Sequence, residues 1–271
     1  MIPKMNFHTH TTFCDGKETA ESMVLAAMEK NFTSLGFSGH SYTYFDERYC
    51  MSKKGVKEYQ KEVLRLKEVY AEKISIYCGI EQDFYSEEFV SEFDYAIGSV
   101  HYIKKDGQFL LVDEAPEIMK KDIQELFGGD PYAYAKVYFE TVAGVLDKTK
   151  ADMIGHFDLL TKFNESKDIF ETSDSRYRNY GIDAIEALIP YHKPFEINTG
   201  AIYRGMRSEA YPSPDFLKEI KKRGGTILLS SDSHDGNSLG FRFHEVASLA
   251  KEIGFASTLV WTPKGFEEMG L

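Results

Sequence analysis

Met5-Asn6-Phe7-His8-Thr9-His10 opens the chain with a strand-forming run that ends in two histidines, two positions apart. In extended backbone such residues point to the same side, so the run presents two imidazoles toward one centre. Similar short apolar or β-branched runs recur at 35–38, 74–79, 95–100, 153–155, 195–198 and 226–230. Between them lie stretches of helical period. Val56, Tyr59, Val63, Leu66 and Tyr70 step by three and four, residues 19–30 carry Met23, Val24, Ala27 and Met28 on one side, and Val246, Leu249, Ala250 and Ile253 repeat the pattern. Strand-helix alternation along the whole length predicts a parallel sheet with helical crossovers, and seven strands suit a barrel slightly short of eight units. Residues 102–130 interrupt the rhythm, from the turn Lys104-Lys105-Asp106-Gly107 to Phe127-Gly128-Gly129-Asp130-Pro131. They are expected to be an insertion over the mouth of one domain spanning 1–271, acting as a lid.

The composition narrows the partners. With 43 acidic and 32 basic residues the net charge is −11, which repels polyanions, and no Lys/Arg-rich block offsets it. No nucleic-acid partner is expected. No apolar run approaches the roughly 20 residues needed to cross a bilayer, and the N-terminus lacks the apolar core of a signal peptide. Cys14, Cys50 and Cys78 are odd in number and widely spaced, so no disulfide framework is implied. A cytoplasmic monomer with no membrane partner is the expectation.

Six of the eight histidines fall at or just beyond a strand end: His8, His10, His40, His101, His156 and His234. In a parallel barrel those ends converge on the face where active sites are built. Asp232-Ser233-His234 repeats the two-apart spacing, Asp15 lies in the turn after the first strand, and Glu81 closes the third. Each of these residues alone reads as a hydrogen-bonded core residue, a helix cap or a surface acid. Placed together at successive strand ends, they read as metal ligands, since neutral imidazole suits zinc, manganese and iron, while carboxylates bridge and add charge. Nine donors exceed one tetrahedral site, and three divalent ions sharing carboxylates fit the number. Cys14 and Cys78 sit nearby but read as small buried hydrophobes. His192 precedes a strand and belongs at the opposite end, and His244 belongs on a helix surface.

The motifs Asn6-Phe7-His8-Thr9-His10-Thr11, Asp15-Gly16, Gly39-His40, Gly79-Ile80-Glu81, Gly98-Ser99-Val100-His101, Ile154-Gly155-His156 and Ser231-Asp232-Ser233-His234 together resemble the PHP (polymerase and histidinol phosphatase) family, from residue 6 to beyond 240. Two further stretches, 155–163 and Glu196-Ile197-Asn198-Thr199-Gly200 with Tyr211-Pro212-Ser213, resemble its histidinol-phosphate phosphatases. The resemblance implies a distorted seven-stranded, TIM-like β/α barrel with a trinuclear site at its C-terminal mouth. One ion would take His8, His10, Glu81 and Asp232; a second would share Glu81 and take His101 and His156; a third would take Asp15, His40 and His234. It also implies hydrolysis of a small phosphate monoester, L-histidinol phosphate, in histidine biosynthesis.

A phosphate monoester dianion resists hydroxide, so charge neutralisation is the main catalytic task. The expected step is in-line attack by a metal-bridging hydroxide, with a protein cation clamping the phosphoryl oxygens. Arg204, on a mouth loop, is the preferred clamp, with Arg207, Lys162 and Arg242 as alternatives. A metal-bound water, Asp232 or His234 could protonate the leaving group. Tyr42, Tyr44, Phe45 and Asp158 are candidates to line the substrate pocket, and Asp83 and Asp158 alternatively orient ligand imidazoles. Three rivals share these features: a nucleotide phosphatase or exonuclease on the same fold, a non-catalytic metal-binding module, and an amidohydrolase. The last calls for a strand-end lysine that bridges two ions, and this sequence shows none.

Overall fold

The computed structural model describes residues 2–87 and 90–271. Seven parallel strands, Met5–Asn6, Ser34–Phe37, Ser75–Asp83, Tyr95–Ser99, Met153–Ile154, Phe195–Asn198 and Ile227–Ser230, lie in the sheet in chain order. The first and last meet just past their C-terminal ends. Thr9 bridges Ser233 in parallel, with the His10 N–H donating to Ser233 O at 2.8 Å and the Ser233 N–H to His8 O at 3.0 Å. That contact closes a distorted β/α barrel at its mouth, as the alternation of apolar runs predicts.

The crossover helices form where the periodicity places them. Ala20–Glu29 starts at Thr19, whose hydroxyl accepts from the Ser22 N–H, and buries Met23, Val24 and Ala27. Lys53–Val69 starts at Ser52 and buries Val56, Tyr59, Val63 and Leu66. Each such buried Met, Val or Leu contributes about 1.5–3 kcal/mol relative to exposure.

The barrel interior is filled by Phe7, Tyr77, Tyr95, Ile97, Met153 and Leu228. Tyr95 lies across it, its hydroxyl 2.6 Å from Phe7 O and 2.9 Å from Phe37 O. Gly79 leaves room for that ring: a Cβ there would come within 2.3 Å of Tyr95 Cζ. A C-terminal hairpin, Ser257–Thr262 with Gly265–Gly270, packs Leu259, Trp261 and Phe266 against the same cluster and plugs the N-terminal end. Helical period alone ended at residue 253 and did not foretell this hairpin.

Two expectations are refined. The third strand runs on past Gly79 and Glu81 to Asp83, because its ladder with the fourth strand continues to the Asp83–Ser99 pair. Glu81 is therefore held inside a paired strand rather than at its end. Residues 102–130 form a hairpin, Tyr102–Lys105 with Gln108–Leu111, turned at Asp106-Gly107 where both φ angles are positive, followed by the helix Pro116–Leu126. No helix among the described residues is long and apolar enough to cross a membrane.

Candidate metal centre

All nine donors predicted from the strand ends come together at the mouth, around Glu81. Its Oε2 lies 2.9 Å from His40 Nδ1, 3.3 Å from His8 Nε2 and 3.5 Å from His10 Nε2. Its Oε1 lies 2.9 Å from His156 Nε2 and 3.5 Å from His101 Nε2. Asp232 Oδ1 closes the group from the seventh strand, 3.2 Å from His10 Nε2 and 3.6 Å from His8 Nε2. Asp15 Oδ2 lies 3.2 Å from His234 Nε2 and 3.6 Å from His40 Nε2 at the more open edge.

Three overlapping sets have their donor atoms close enough to share one ion: His8, His10 and Asp232; His40, Glu81 and His101; and His10, Asp15, His40 and His234. The chemistry of the atoms fits divalent cations. His8 Nε2, His10 Nε2 and Glu81 Oε2 are buried and make no hydrogen bond among the described residues, although all three point into the same space. Buried polar atoms are rarely left so. Burial and the neighbouring His234 and His40 lower the His10 pKa to about 3, which leaves its ring neutral and a lone pair available. Burial opposes ionisation of Glu81, yet His8, His40 and His101 outweigh it and hold the carboxylate well below its usual range.

A further ring of residues orients these donors. Glu196, inside the sixth strand, lies 2.5 Å from His8 Nδ1 through one oxygen. Its other oxygen accepts from the His156 backbone N–H at 2.8 Å and from Asn198 Nδ2 at 3.0 Å. Asp83 faces His101 Nδ1 at 3.4 Å and accepts that residue's N–H at 2.9 Å. Carboxylates behind ligand imidazoles fix their tautomer and raise their basicity. Asp83 was among the expected orienting residues. Glu196 was not, although an acid two positions from Asn198 in an otherwise apolar strand was the available signal. Asp158 does not approach a ligand imidazole; it accepts from the Ser213 N–H at 3.2 Å on the far side of its loop.

The expected substrate contacts divide. A cavity of ≈ 360 Å³ at the centre is lined by Arg204, Lys162, Tyr49, Asp113 and Glu114 beside the ligands. Arg204 places Nη2 3.1 Å from Asp232 Oδ2 and Nη1 3.3 Å from His234 Nδ1. Gly200 makes this approach possible, since a Cβ there would stand 2.9 Å from Asp232 Cβ and 3.0 Å from Arg204 Nη2. Lys162 pairs with Asp113 at 2.8 Å. Arg207 faces a separate cavity, and Arg242 is exposed on the outer side, 3.5 Å from Glu245. The Tyr42 hydroxyl donates to Glu47 at 2.9 Å, and Tyr44 is exposed, with Phe45 stacked on Phe109. Tyr49, which periodicity did not single out, supplies the aromatic wall instead, its ring 4.8 Å from that of His40. His192 and His244 are exposed and remote from the mouth, as expected. Cys14 Sγ stands 3.5 Å from His10 Nδ1.

Known proteins match over nearly this whole length. A probable histidinol-phosphatase of Schizosaccharomyces pombe is 28% identical over 92% of this chain and 87% of its own length. One of Deinococcus radiodurans is 27% identical over 91% and 92%. Among solved structures, the histidinol phosphate phosphatase of Lactococcus lactis, complexed with zinc, L-histidinol and phosphate, superposes with a TM-score of 0.77 at 21% identity, covering 98% of this chain and 100% of that one. A putative histidinol phosphatase of Listeria monocytogenes gives 0.76 at 21% identity, over 89% and 99%. These two likenesses establish the fold. The PHP domain pattern itself matches residues 6–200, from the first His-x-His strand through the sixth strand and Gly200, and the chain belongs to the PHP domain family.

Proposed function

We propose that this protein is a metal-dependent phosphomonoesterase that hydrolyses L-histidinol phosphate to L-histidinol and phosphate, in histidine biosynthesis. The observation that carries the reading is the convergence of nine imidazole and carboxylate donors, five with buried atoms that make no hydrogen bond, at a mouth whose cavity seven of them line together with Arg204. The names of the two relatives and the ligands of the Lactococcus lactis structure support the choice of substrate.

The proposed ligand sets are those the resemblance implies, with Glu81 shared between two of three ions; Glu81 supports this by facing His8, His10 and His40 with one oxygen and His101 and His156 with the other. When bound, divalent ions neutralise phosphoryl oxygens and acidify water, so that hydroxide is available near neutral pH. The chain's own residues then position the ester. Arg204 grips the phosphoryl group with its fork, which Asp232 aims from behind. Lys162, on the same cavity wall, adds a point charge. Burial opposes ionisation of Asp232, but Arg204 and His8 hold it well below the usual carboxylate range, so it stays anionic as ligand and anchor. The proton that water loses on becoming hydroxide would pass to the leaving alkoxide at this edge, beside His234. The cationic amino group of the substrate meets Asp113 and Glu114, and its imidazole meets Tyr49.

Segment 102–130 is read as a lid over this cavity. Leu111, Asp113 and Glu114 belong both to it and to the cavity wall. Lys162 holds Asp113, and Arg48 holds Glu114 at 2.8 Å, tying the segment across the mouth.

Phosphate release from L-histidinol phosphate, 3′- and 5′-nucleotides and p-nitrophenyl phosphate tests the reading, with EDTA and His10→Ala as controls. Preference for L-histidinol phosphate, abolished by both controls, is the expected result. Preference for a nucleotide would overturn the substrate, and inactivity of the metal-loaded protein on every ester would overturn the enzyme.

A further inference from the structure

A second cavity, of ≈ 380 Å³, opens on the other side of the loop that follows His156, and none of its lining residues lines the metal-centre cavity. Beside exposed acids and bases such as Glu209, Asp215 and Lys218, its wall carries Asp158, Tyr177 and Arg207. They are buried at 1%, 2% and 8% exposure, so neither the acid nor the base is a solvated surface charge. Asp158 Oδ1, the Tyr177 hydroxyl and Arg207 Nε make no hydrogen bond among the described residues. Arg207 rests on the Tyr211 ring, 4.4 Å from its centroid, and donates to Thr161, but forms no ion pair with a carboxylate among them. A buried guanidinium and a buried carboxylate thus share one cavity without a direct ion pair, an arrangement that is costly unless something completes it.

The missing partner must bring opposite charges at once. It must accept from Arg207 and Tyr177 and donate to Asp158. The start of the helix Pro214–Lys222 is already supplied with acids, since Asp158 Oδ2 accepts from the Ser213 N–H and Asp215 lies in the first turn, so the anion falls to Arg207 and Tyr177. Ile182 and Phe216 add apolar surface that a side chain could cover. We infer that this cavity is a second small-molecule site, for a zwitterion of the α-amino acid class. The carboxylate is held by Arg207 and Tyr177, and the ammonium by Asp158. The size lies within the usual range for small-ligand sites.

The test uses the metal-loaded full chain with inorganic phosphate saturating the metal centre, so that chelation of the ions by the probe is suppressed. Glycine and L-leucine are titrated calorimetrically, beside acetate and methylammonium, and crystals in the same buffer are soaked with each. Both amino acids are expected to bind at one site, with density between Arg207 and Asp158, and at least about tenfold more tightly than either single-charge probe. Tyr177→Phe, which removes only a hydroxyl, is expected to weaken glycine about tenfold, and Arg207→Met by about tenfold to a hundredfold. If Arg207→Met fails to fold, Tyr177→Phe decides alone. Water alone in the cavity, binding confined to the metals, acetate equal to glycine, or an unchanged Tyr177→Phe affinity would each overturn the inference.

Discussion

Glu196 Oε1 lies 2.5 Å from His8 Nδ1, and the same carboxylate anchors the backbone N–H of His156 through its other oxygen. One residue of the sixth strand therefore sets the ring of a candidate ligand after the first strand and the backbone of one after the fifth. Burial disfavours the charge on Glu196, but His8 more than offsets it and lowers the pKa of the acid. Glu196→Gln keeps the shape and removes the charge that fixes the His8 tautomer. Metal affinity or activity is expected to fall about 10–100-fold. Metal content after dialysis against a graded chelator, measured beside turnover, checks this; full metal retention with full activity would show that Glu196 does not orient the ligand.

Arg204 is the cation closest to the ligand carboxylates, and a guanidinium fork matches phosphoryl oxygens as an ammonium does not. Arg204→Met is expected to lower kcat/KM about 10²–10³-fold, the loss typical of one charge-stabilising donor. Arg204→Lys should recover only part of it. Steady-state kinetics on L-histidinol phosphate and inhibition by inorganic phosphate provide the readout, since a lost clamp weakens both. A twofold change or less in Arg204→Met would move the clamp to Lys162.

The barrel and the strand-end placement of the candidate donors are legible in the sequence because both are written locally. An apolar run of four or five residues followed by a histidine is visible in isolation, as at Phe37-Ser38-Gly39-His40. Glu196 was passed over because a lone acid in the Phe195-Glu196-Ile197-Asn198 run acquires its meaning only from His8, 188 positions away. Arg204 and Arg207 stand three apart, yet they face different cavities. The positive φ of 69° at Gly205 turns the chain between them, and spacing cannot report such a turn. Tyr49 was hidden for the same reason, in a loop without period. The closing hairpin did leave a trace, with Thr258, Val260 and Leu259, Trp261 alternating sides, but no partner strand nearby resembled it in composition.

The Tyr95 ring and Gly79 form a coupled pair in the barrel interior. A methyl group at residue 79 would meet three ring atoms at 2.3–2.6 Å, and the ring is 1% exposed, with neighbours on all sides. Overpacking of this kind costs about 1–3 kcal/mol. Gly79→Ala is expected to lower the urea midpoint accordingly, and Gly79→Ala with Tyr95→Leu should lose less than the sum of the two single changes. Strict additivity would mean that the clash is relieved elsewhere.

The histidines at the centre give the metal-free and metal-loaded proteins different responses to pH. Burial works against the His8 cation, but Glu196, Glu81 and Asp232 outweigh it and raise its pKa well above the ordinary value. Burial likewise opposes His40, and Asp15 and Glu81 raise it; His101 is raised chiefly by Glu81 against burial. A group raised on folding contributes stability that is fully present below its unfolded pKa, near 6.5, and is lost as pH climbs through the raised value. Without metal, this contribution should therefore shrink above about pH 6.5. A ligand imidazole must shed its proton to bind, so metal affinity should grow over the same interval and loading should release protons. The gain in Tm on adding zinc is thus expected to widen from pH 6 to pH 8. Calorimetric titration in buffers of different ionisation enthalpy should show proton release at pH 7. A pH-independent gain, with no buffer dependence of the heat, would mean that these histidines are already neutral in the metal-free protein.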